Sequence, residues 1–371
     1  MTYQHSNLDP AMGAVADLEL AIMSHQMLDQ AIEAMTILLA RSRHRRGRQH
    51  LRARGMLLVG DAGAGKSTII QHFLDLNPPE QTLDGIVMPV AVVEVPPAPT
   101  LRATVDAIYA ALGYRAEKAL SAEDIVRDLT GKVDLLGVGA MLLDESHHIL
   151  ASRQSADVTE FLKSLLNRLG CSMIFAGLHE LKDLRGSLQL NRRLFPDAVL
   201  RPYNFLNTAE RLEFMAFLNA LELHAIKLPE PSGLANQEMA RRLYAASGGL
   251  LGIVTKYLSH ALLLAHLRGL RCIDLDLLAE IDASWCGLAA APDDIRFDDD
   301  ISLDQGVDVA GLLAQVGRAR IDVPSNPFKC DAGLVFDIYK TRAAQQVVEP
   351  PRRRLDRRMR GTGPDPQKAF Q

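Results

Sequence analysis

The sequence predicts an α/β fold with a parallel sheet, followed by a smaller all-helical region. Five short apolar runs recur at 56–60, 90–95, 139–144, 172–177 and 198–203. Each run has the length of a strand and is apolar almost throughout, as expected for strands that helices cover on both faces. Helical patterns lie between the runs, which favours parallel strands joined by helical crossovers. After the last run only helical patterns follow.

The same patterns divide the chain into four segments. Residues 1–50 are predicted to be a helical extension ending in a basic connector, because apolar residues recur at helical spacing between 11 and 41. Residues 51–204 carry the five apolar runs, and residues 205–290 carry the later helices. Residues 291–371 combine an acidic linker with a basic tail rich in proline and glycine, a composition typical of disordered segments.

The composition narrows the class of protein. A chain of 371 residues that is 48% hydrophobic can bury one large or two modest cores. The net charge of −4 means that any nucleic-acid contact has to come from local basic patches. The cysteines have no C-x-x-C spacing, which argues against a zinc or disulfide framework and favours the reducing cytoplasm. The longest apolar run, from Tyr257, is too short for a bilayer, so no membrane partner is expected.

A phosphate-binding loop is predicted directly after the first strand. The segment GDAGAGKST fits G-x-x-x-x-G-K-[ST] between a predicted strand and a predicted helix. Its glycines let backbone N–H groups surround an anion, and the helix start adds the positive end of its dipole. Lys66 is expected to reach the β- and γ-phosphates and Ser67 to bind Mg²⁺; a glycine-rich turn that binds nothing is the alternative. The predicted cradle consists of Gly60, Asp61, Ala62, Gly63, Ala64, Gly65, Lys66, Ser67 and Thr68.

The segment MLLDESHHIL, residues 141–150, ends a predicted strand in two carboxylates and two histidines. Neighbours on a strand alternate faces, so these side chains are not expected to converge on one ion. An acidic strand end about eighty residues after a phosphate loop is typical of the second half of a nucleotide site. Asp144 is predicted to hold Mg²⁺ and Glu145 to polarise the attacking water. Magnesium prefers oxygen ligands, so His147 and His148 are predicted to shape the next segment or relay the nucleotide state; a separate histidine-metal site is the alternative.

With these residues in place, the chain from about Gly55 to Lys256 resembles the AAA+ ATPases of transposition, specifically the TniB/TnsC group. The resemblance is carried by the ordered set GDAGAGKST, VPPAPTLRATVDAIYAALGY, LLDESHHIL, IFAGLHEL, LQLNRRLF and LPEPSGL. It implies a P-loop AAA+ core with a five-stranded parallel sheet and a helical lid over about 205–290. It also implies that ATP and Mg²⁺ bind at subunit interfaces of a ring or helical filament.

The resemblance implies an arginine that a neighbouring subunit directs to the γ-phosphate. Aligning LQLNRRLF with the family's Q-L-x-x-R-F places it at Arg193, with Arg192 next in line; solvated surface charge is the alternative for both. Two departures from the family leave the rate of hydrolysis open. Leu178 stands where the family often has threonine, with His179 as a weak substitute. The lid helix also lacks an arginine at the position expected from the family, and Lys256 is the nearest cation in that helix.

Double-stranded DNA is the partner that the resemblance implies, held through its phosphates without sequence specificity and with strong salt dependence. Arg102 lies where family members direct basic residues into the ring's pore. A basic stretch at residues 41–54 would spread its arginines around a helix instead of forming one stripe. It is therefore either a DNA-binding segment or a solvated connector or subunit contact. The basic tail at 352–360 could touch DNA or a transposase, or keep the chain end soluble. The arginines of the stretch are Arg41, Arg43, Arg45, Arg46, Arg48, Arg52 and Arg54.

These observations predict an ATP-dependent transposition regulator that oligomerises on target DNA, with slow, DNA-stimulated ATP hydrolysis. The oligomer would recruit or activate a transposase and a TniQ-like target-selection protein. One alternative is another AAA+ machine, such as a helicase loader, an origin-recognition-like ATPase or a defence signalling NTPase. The other is a nucleotide-gated adaptor that hardly hydrolyses ATP; Glu145 argues against it, and the missing polar sensor argues for it.

Overall fold

The computed structural model describes residues 8–45, 54–83, 85–117, 121–186, 194–205, 207–284, 307–308, 322–323 and 328. The strands are β1 (Gly55–Gly60), β2 (Glu80–Thr82), β3 (Gly85–Val87), β4 (Val90–Glu94), β5 (Ala140–Asp144), β6 (Ser172–Gly177), β7 (Ala198–Leu200), β8 (Val307–Asp308) and β9 (Asp322–Val323). The helices of the first half are α1 (Leu8–Leu20), α2 (Gln26–Arg45), α3 (Lys66–Asp75), α4 (Leu101–Ala111), α5 (Ala122–Leu135), α6 (His148–Ala151) and α7 (Ser155–Arg168). A 3₁₀ helix, His179–Gly186, precedes α8 (Thr208–His224), α9 (Gln237–Ser247), α10 (Leu251–Arg268) and α11 (Leu275–Ser284).

A five-stranded sheet with the order β4-β5-β6-β1-β7 forms the centre of the fold. All neighbouring strands in it run parallel. Each of the five apolar runs forms one of these strands, which confirms the predicted α/β class. The last run gives a shorter strand than expected, since β7 ends at Leu200. Pro202 follows closely and has no N–H to donate to a ladder.

Helices cover the sheet on both faces, as the continuously apolar strands predicted. On one face Leu57 and Val59 of β1 belong to the core that α4, α5 and α7 complete. On the other face Met56 and Leu58 belong to the core that α2 and α3 complete. The alternation along β1 follows the two-residue period of a strand, and both of its faces are buried.

The N-terminal helical pattern forms two helices instead of one. The chain leaves helical conformation at residues 21–25, between α1 and α2. His25 precedes α2, and its Nδ1 lies 3.4 Å from the backbone N–H nitrogen of Leu28, where it can accept one of the hydrogen bonds that a helix start leaves open. Leu18 of α1 packs into the core of the later helices, whereas Met35 of α2 packs on the sheet.

Helices α8 to α11 form the helical region that the sequence predicted beyond the sheet. Asn207 begins it by accepting a hydrogen bond from the N–H of Ala209 at 3.0 Å, an ordinary helix cap. The region has its own core, centred on residues such as Phe214, Leu258 and Leu278. Among the described helices no single one combines the length and apolarity of a membrane span; α9 and α10 do so only as a pair bent by 109°.

The sequence analysis did not predict the antiparallel hairpin of β2 and β3. Its first strand, Glu80–Thr82, is polar and fully exposed, so it lacks the apolar pattern by which strands are recognised. The pair β8 and β9 falls within the segment predicted to be an acidic linker and its continuation.

Candidate nucleotide-binding site

The loop between β1 and α3 has a backbone that only glycine adopts easily. Gly63 and Gly65 have φ angles of 79° and 94°, in the left-handed region that side chains disfavour. Gly65 directly precedes α3, whose first turn begins at Lys66. The unpaired N–H groups and the dipole of that helix start therefore lie at the loop, where they favour an anion.

Lys66 is a buried cation inside this loop. Its Nζ donates hydrogen bonds to the carbonyl oxygens of Gly60 at 2.6 Å and Asp61 at 2.9 Å. Burial lowers the pKa of Lys66, and the nearby charges of Glu145, Asp144 and Asp61 act in the opposite direction. The structure thus brings the predicted lysine and the two predicted acids into one electrostatic environment, although they are far apart in sequence.

Asp144 is the last residue of β5, and it lies at the carboxyl edge of the sheet, where the phosphate loop also begins. Its Oδ1 accepts a hydrogen bond from the backbone N–H of Glu145 at 2.8 Å. Burial raises the pKa of the Asp144 carboxyl, and the hydrogen bond from the Glu145 backbone opposes this shift. A half-buried carboxylate of this kind is a suitable ligand for a hard cation such as Mg²⁺.

Glu145 does not continue the strand, contrary to the expected alternation of faces. Its φ is 53°, a left-handed conformation that is uncommon for a residue with a side chain. The chain turns here because Ser146 is tied to the sheet. The Ser146 N–H donates to the Ala176 carbonyl at 2.8 Å, and the Ser146 hydroxyl donates to the Leu143 carbonyl at 2.7 Å. The sequence analysis gave Ser146 no role.

A cavity of about 450 Å³ lies beside the phosphate loop and has Glu145 in its wall. Its volume falls within the range of about 300–1,000 Å³ that small-molecule sites occupy. Three parts of the chain that are distant in sequence meet there: the loop, the lid helix α10, and the segment between α1 and α2. The lining includes Ala62, Gly63, Ala64, Gly65, Lys66, Ser67, Thr68, Ala21, Met23, His25, Leu28, Leu251, Gly252, Thr255, Lys256 and Ser259.

The segment between α1 and α2 is a part of this site that the sequence analysis missed. His25 Nδ1 lies 3.3 Å from the hydroxyl of Tyr203, and the His25 ring meets the Phe217 ring edge-on at 6.2 Å. Burial lowers the pKa of His25, which favours the neutral ring. The sequence carried no clear signal of it, because Ile22 and Met23 continue the helical pattern across the break at 21–25.

The lid helix α10 approaches the phosphate loop with backbone against backbone. A Cβ placed on Gly252 would lie 2.5 Å from the carbonyl oxygen of Gly63, closer than any side chain tolerates. Farther along α10, Ser259 is buried, and its hydroxyl has no hydrogen-bond partner among the described residues. Lys256, the expected lid cation, also lines the cavity.

Of the remaining candidate residues, the structure describes some, and others lie outside the described residues. His179 follows β6, and its Nε2 lies 3.3 Å from Asp61 Oδ1 of the phosphate loop. Arg102 pairs with Asp106 at 2.9 Å and donates to the carbonyl of Glu117 at 2.8 Å, so its guanidinium is engaged within the subunit. Arg192 and Arg193 lie outside the described residues, as do most of the basic connector and all of the basic tail.

A five-stranded parallel sheet, a glycine-rich phosphate loop, an acidic strand end and a helical lid together define a P-loop AAA+ fold. The family model described as bacterial TniB protein matches residues 20–203. The chain is therefore a TniB-like protein. No curated protein matches the chain in sequence.

Solved structures of origin-recognition proteins share this fold. Cdc6p from Pyrobaculum aerophilum is similar with 12% identity and a TM-score of 0.52, over 91% of this chain and 85% of that chain. The Aeropyrum pernix ORC2 protein, solved as ADPNP–ADP complexes, has 16% identity and a TM-score of 0.51, over 87% and 81%. Drosophila ORC bound to DNA has 15% identity and a TM-score of 0.50, over 95% and 83%.

Proposed function

We propose that this protein binds Mg²⁺ and ATP in the cavity beside the phosphate loop and hydrolyses the ATP slowly. The observation that carries the proposal is a buried lysine in the loop, in electrostatic contact with Asp144 and Glu145, beside a cavity that the lid helix α10 helps to line. The TniB family match and the structure of an ORC2 protein with ADPNP and ADP support a nucleotide as the ligand.

Each group at the phosphate end has a distinct role in this proposal. Lys66 exchanges its two carbonyl partners for the β- and γ-phosphates, since hydrogen bonds to charged oxygens are stronger. The Ser67 hydroxyl and the Asp144 carboxylate hold Mg²⁺, which neutralises charge on the phosphates. Glu145 orients the attacking water, and Arg193 or Arg192 of a neighbouring subunit approaches the γ-phosphate.

The part of the cavity lining outside the phosphate loop is suited to the base and sugar. It combines apolar side chains such as Met23 and Leu251 with the neutral ring of His25. The Ser259 hydroxyl supplies a polar group without a partner among the described residues. A largely apolar pocket with a few fixed polar groups is typical of small-molecule sites.

We further propose that ATP binding assembles the subunits on double-stranded DNA as a ring or helical filament, which recruits a transposase and a TniQ-like target-selection protein. The TniB family match supports the link to transposition, and the Drosophila ORC structure bound to DNA supports a DNA platform. In such an assembly Arg102 would exchange Asp106 for a DNA phosphate. The other AAA+ DNA machines remain the competing assignment.

A nucleotide-gated adaptor that barely hydrolyses ATP is the second candidate. One observation favours it: Leu178 follows β6 where a polar side chain would sense the γ-phosphate, and the nearby His179 faces Asp61. In this case ATP would hold the assembly together without regular turnover.

ADP release with and without duplex DNA distinguishes the two candidates. If the protein is the regulator, duplex DNA stimulates ATP hydrolysis. Glu145→Gln should abolish this hydrolysis and keep ATP binding, because it removes only the carboxylate that orients the attacking water. Glu160→Gln on α7 is the matched control, since its side chain is 73% exposed and lies outside the cavity. Wild-type protein that binds ATP but releases no ADP under either condition identifies the adaptor.

A further inference from the structure

The turn after β5 gathers a second set of potential ligands, distinct from the magnesium pair. Glu145, His147 and His148 offer ligand atoms that all lie within 4.8 Å of one another. We propose that these three side chains bind a divalent transition-metal ion of the Zn²⁺ class. The proposal overturns the expectation that these residues would point apart, which assumed a strand that in fact ends at Asp144.

The distances match the coordination shell of such an ion. Glu145 Oε2 and His147 Nδ1 are 3.2 Å apart. With metal–ligand bonds of about 2.0–2.2 Å, two ligands of a tetrahedral zinc site lie about 3.3–3.6 Å from each other. The third ligand atom, on His148, lies within 4.8 Å of the other two, and the His147 and His148 rings have centroids 4.4 Å apart.

One of the two imidazoles, that of His148, is also partnered as metal-binding histidines usually are. His148 Nδ1 lies 3.3 Å from the carbonyl oxygen of Val95. A hydrogen bond there fixes the tautomer and leaves Nε2 free for an ion, which is the common outer arrangement of metal-binding histidines. Each of the three ligands therefore has an atom that can turn toward the common centre.

His147 Nδ1 is buried and has no hydrogen bond among the described residues. It lies near Glu145, but the two groups are not aligned for a hydrogen bond, so the short distance does not satisfy the nitrogen. A buried polar atom without a partner is unfavourable, because it has lost its hydrogen bonds to water. A bound ion would provide that partner and join the two side chains at the same time.

The turn holds this arrangement without an ion. Ser146 is fully buried and tied to β5 and β6 through its hydroxyl and its N–H. The backbone N–H of His148 donates to the Glu145 carbonyl at 3.0 Å, which closes the turn. Ligands held in place in advance lose little conformational entropy when the ion binds.

The ligand chemistry distinguishes this ion from Mg²⁺. Two imidazole nitrogens and one carboxylate suit Zn²⁺, Ni²⁺ or Co²⁺, whereas Mg²⁺ prefers oxygen ligands and retains its waters. The consequence for turnover rests on the proposed function: an ion bound to Glu145 takes that carboxylate away from the attacking water. Zn²⁺ would then inhibit ATP hydrolysis while Mg²⁺ supports it.

Calorimetric titration of the nucleotide-free full-length protein with Zn²⁺ tests the site directly. We expect His147→Ala and His148→Ala to lose one zinc site or to weaken it about tenfold or more. His224→Ala is the matched control, because it removes an exposed histidine at the end of α8 and should titrate like wild type. Titration with Co²⁺ should add a visible absorption band in wild type that both variants lose.

Wild-type-like zinc titrations of both variants would overturn the proposal. Circular dichroism checks the fold of each variant, and Glu145→Gln provides a third ligand variant that keeps the side-chain shape. No nucleotide is present in the titration, so its outcome does not depend on whether the protein hydrolyses ATP. A protein that binds zinc at this site but does not hydrolyse ATP would contradict the proposed ATPase activity and leave the zinc site intact.

Discussion

Lys66 is the residue on which nucleotide binding would depend in the proposed site. Removing an ammonium group from water is unfavourable, and two backbone carbonyls compensate only in part. Phosphate oxygens are stronger partners, because both members of the hydrogen bond are then charged. The lowered pKa of Lys66 and the raised pKa of Asp144 both follow first from burial, which disfavours the charged forms, so a ligand of opposite sign would stabilise each charge.

Lys66→Ala should weaken ATP binding by about tenfold to a hundredfold, the effect of losing a hydrogen bond to a charged group. Titration with a fluorescent ATP analogue measures this change. Lys227→Ala is the control, since Lys227 is 70% exposed and lies outside the nucleotide cavity. If Lys66→Ala and the control bind ATP with equal affinity, the loop does not bind the nucleotide.

Ser259→Ala tests the base end of the cavity. Its hydroxyl has no partner among the described residues, so a hydrogen bond to the nucleotide would contribute about 1 kcal/mol, or about fivefold in ATP affinity. Inorganic triphosphate has no base and should bind both proteins equally. A variant that loses affinity for both ligands, or for neither, would contradict this assignment.

At the scale of single residues, the sequence predicted those that belong to a local motif. The loop and the acidic strand end are contiguous patterns whose chemistry is recognisable without a structure. His25, Ser146 and Ser259 could not be found in this way, because their roles depend on neighbours far away in the chain. The left-handed turn at Glu145 was missed for the same reason, since it results from the contact of Ser146 with β6.

Helix α10 connects the lid to the phosphate loop. Its first turn rests on the loop where Gly252 faces the carbonyl of Gly63. Any side chain at this position forces the two elements apart, because backbone atoms cannot rotate away as a flexible side chain can. The distance between the loop and the lid therefore depends on this contact and on the packing of Ile253 against Gly63.

Gly252→Ala should lower ATP affinity, since the added methyl group would lie 2.5 Å from the Gly63 oxygen and displace the lid. Gly131→Ala in α5 is the matched control, because its Cβ meets nothing within 4 Å and alanine favours a helix by about 1 kcal/mol. Affinity and melting temperature are measured for both. Gly252→Ala protein that binds ATP like the control would show that the lid contact is unimportant.

At the scale of elements, apolar runs predicted the strands of the sheet well, because parallel strands buried on both faces are apolar at nearly every position. The exposed hairpin of β2 and β3 lacks that signal and was not predicted. The division of the N-terminal helix was missed because residues 21–25 are partly apolar and continue the helical pattern. Only the packing of α1 on the lid and α2 on the sheet explains the break.

In the molecule as a whole, a nucleotide would join three parts of the chain that are distant in sequence. The sheet and loop, the lid, and the segment between α1 and α2 all contribute to one cavity. A ligand bound between them stabilises the folded chain by mass action, because it has no site in the unfolded chain. The family resemblance predicted the sheet and the helical lid, whereas the contribution of the segment between α1 and α2 was not predicted.

Saturating Mg·ATP should raise the melting temperature. At a concentration about a hundred times the dissociation constant the stabilisation is about 2.7 kcal/mol, which corresponds to a shift of a few degrees. Differential scanning fluorimetry measures the shift, and Lys66→Ala should show a clearly smaller one, because its affinity for ATP is about tenfold to a hundredfold weaker. An equal shift in the variant would place the binding site elsewhere.

DNA binding by the ATP-loaded protein should weaken several-fold between low and physiological salt, because phosphate contacts release counterions. If Arg102 contacts a phosphate, Arg102→Ala should reduce the slope of log affinity against log salt by about 1. Arg127→Ala on α5 is the control, since Arg127 is 73% exposed and pairs with Asp124. Salt-insensitive binding would indicate a different mode of DNA recognition.

A crystal structure of the protein with Mg²⁺ and a non-hydrolysable ATP analogue tests the central claim most directly. The account requires the triphosphate inside residues 60–68 with Lys66 on its β- and γ-phosphates, and the metal between Ser67 and Asp144. The base should lie in the cavity near His25 and Ser259. A nucleotide bound away from this loop, or Asp144 and Glu145 remote from its phosphates, would contradict the account.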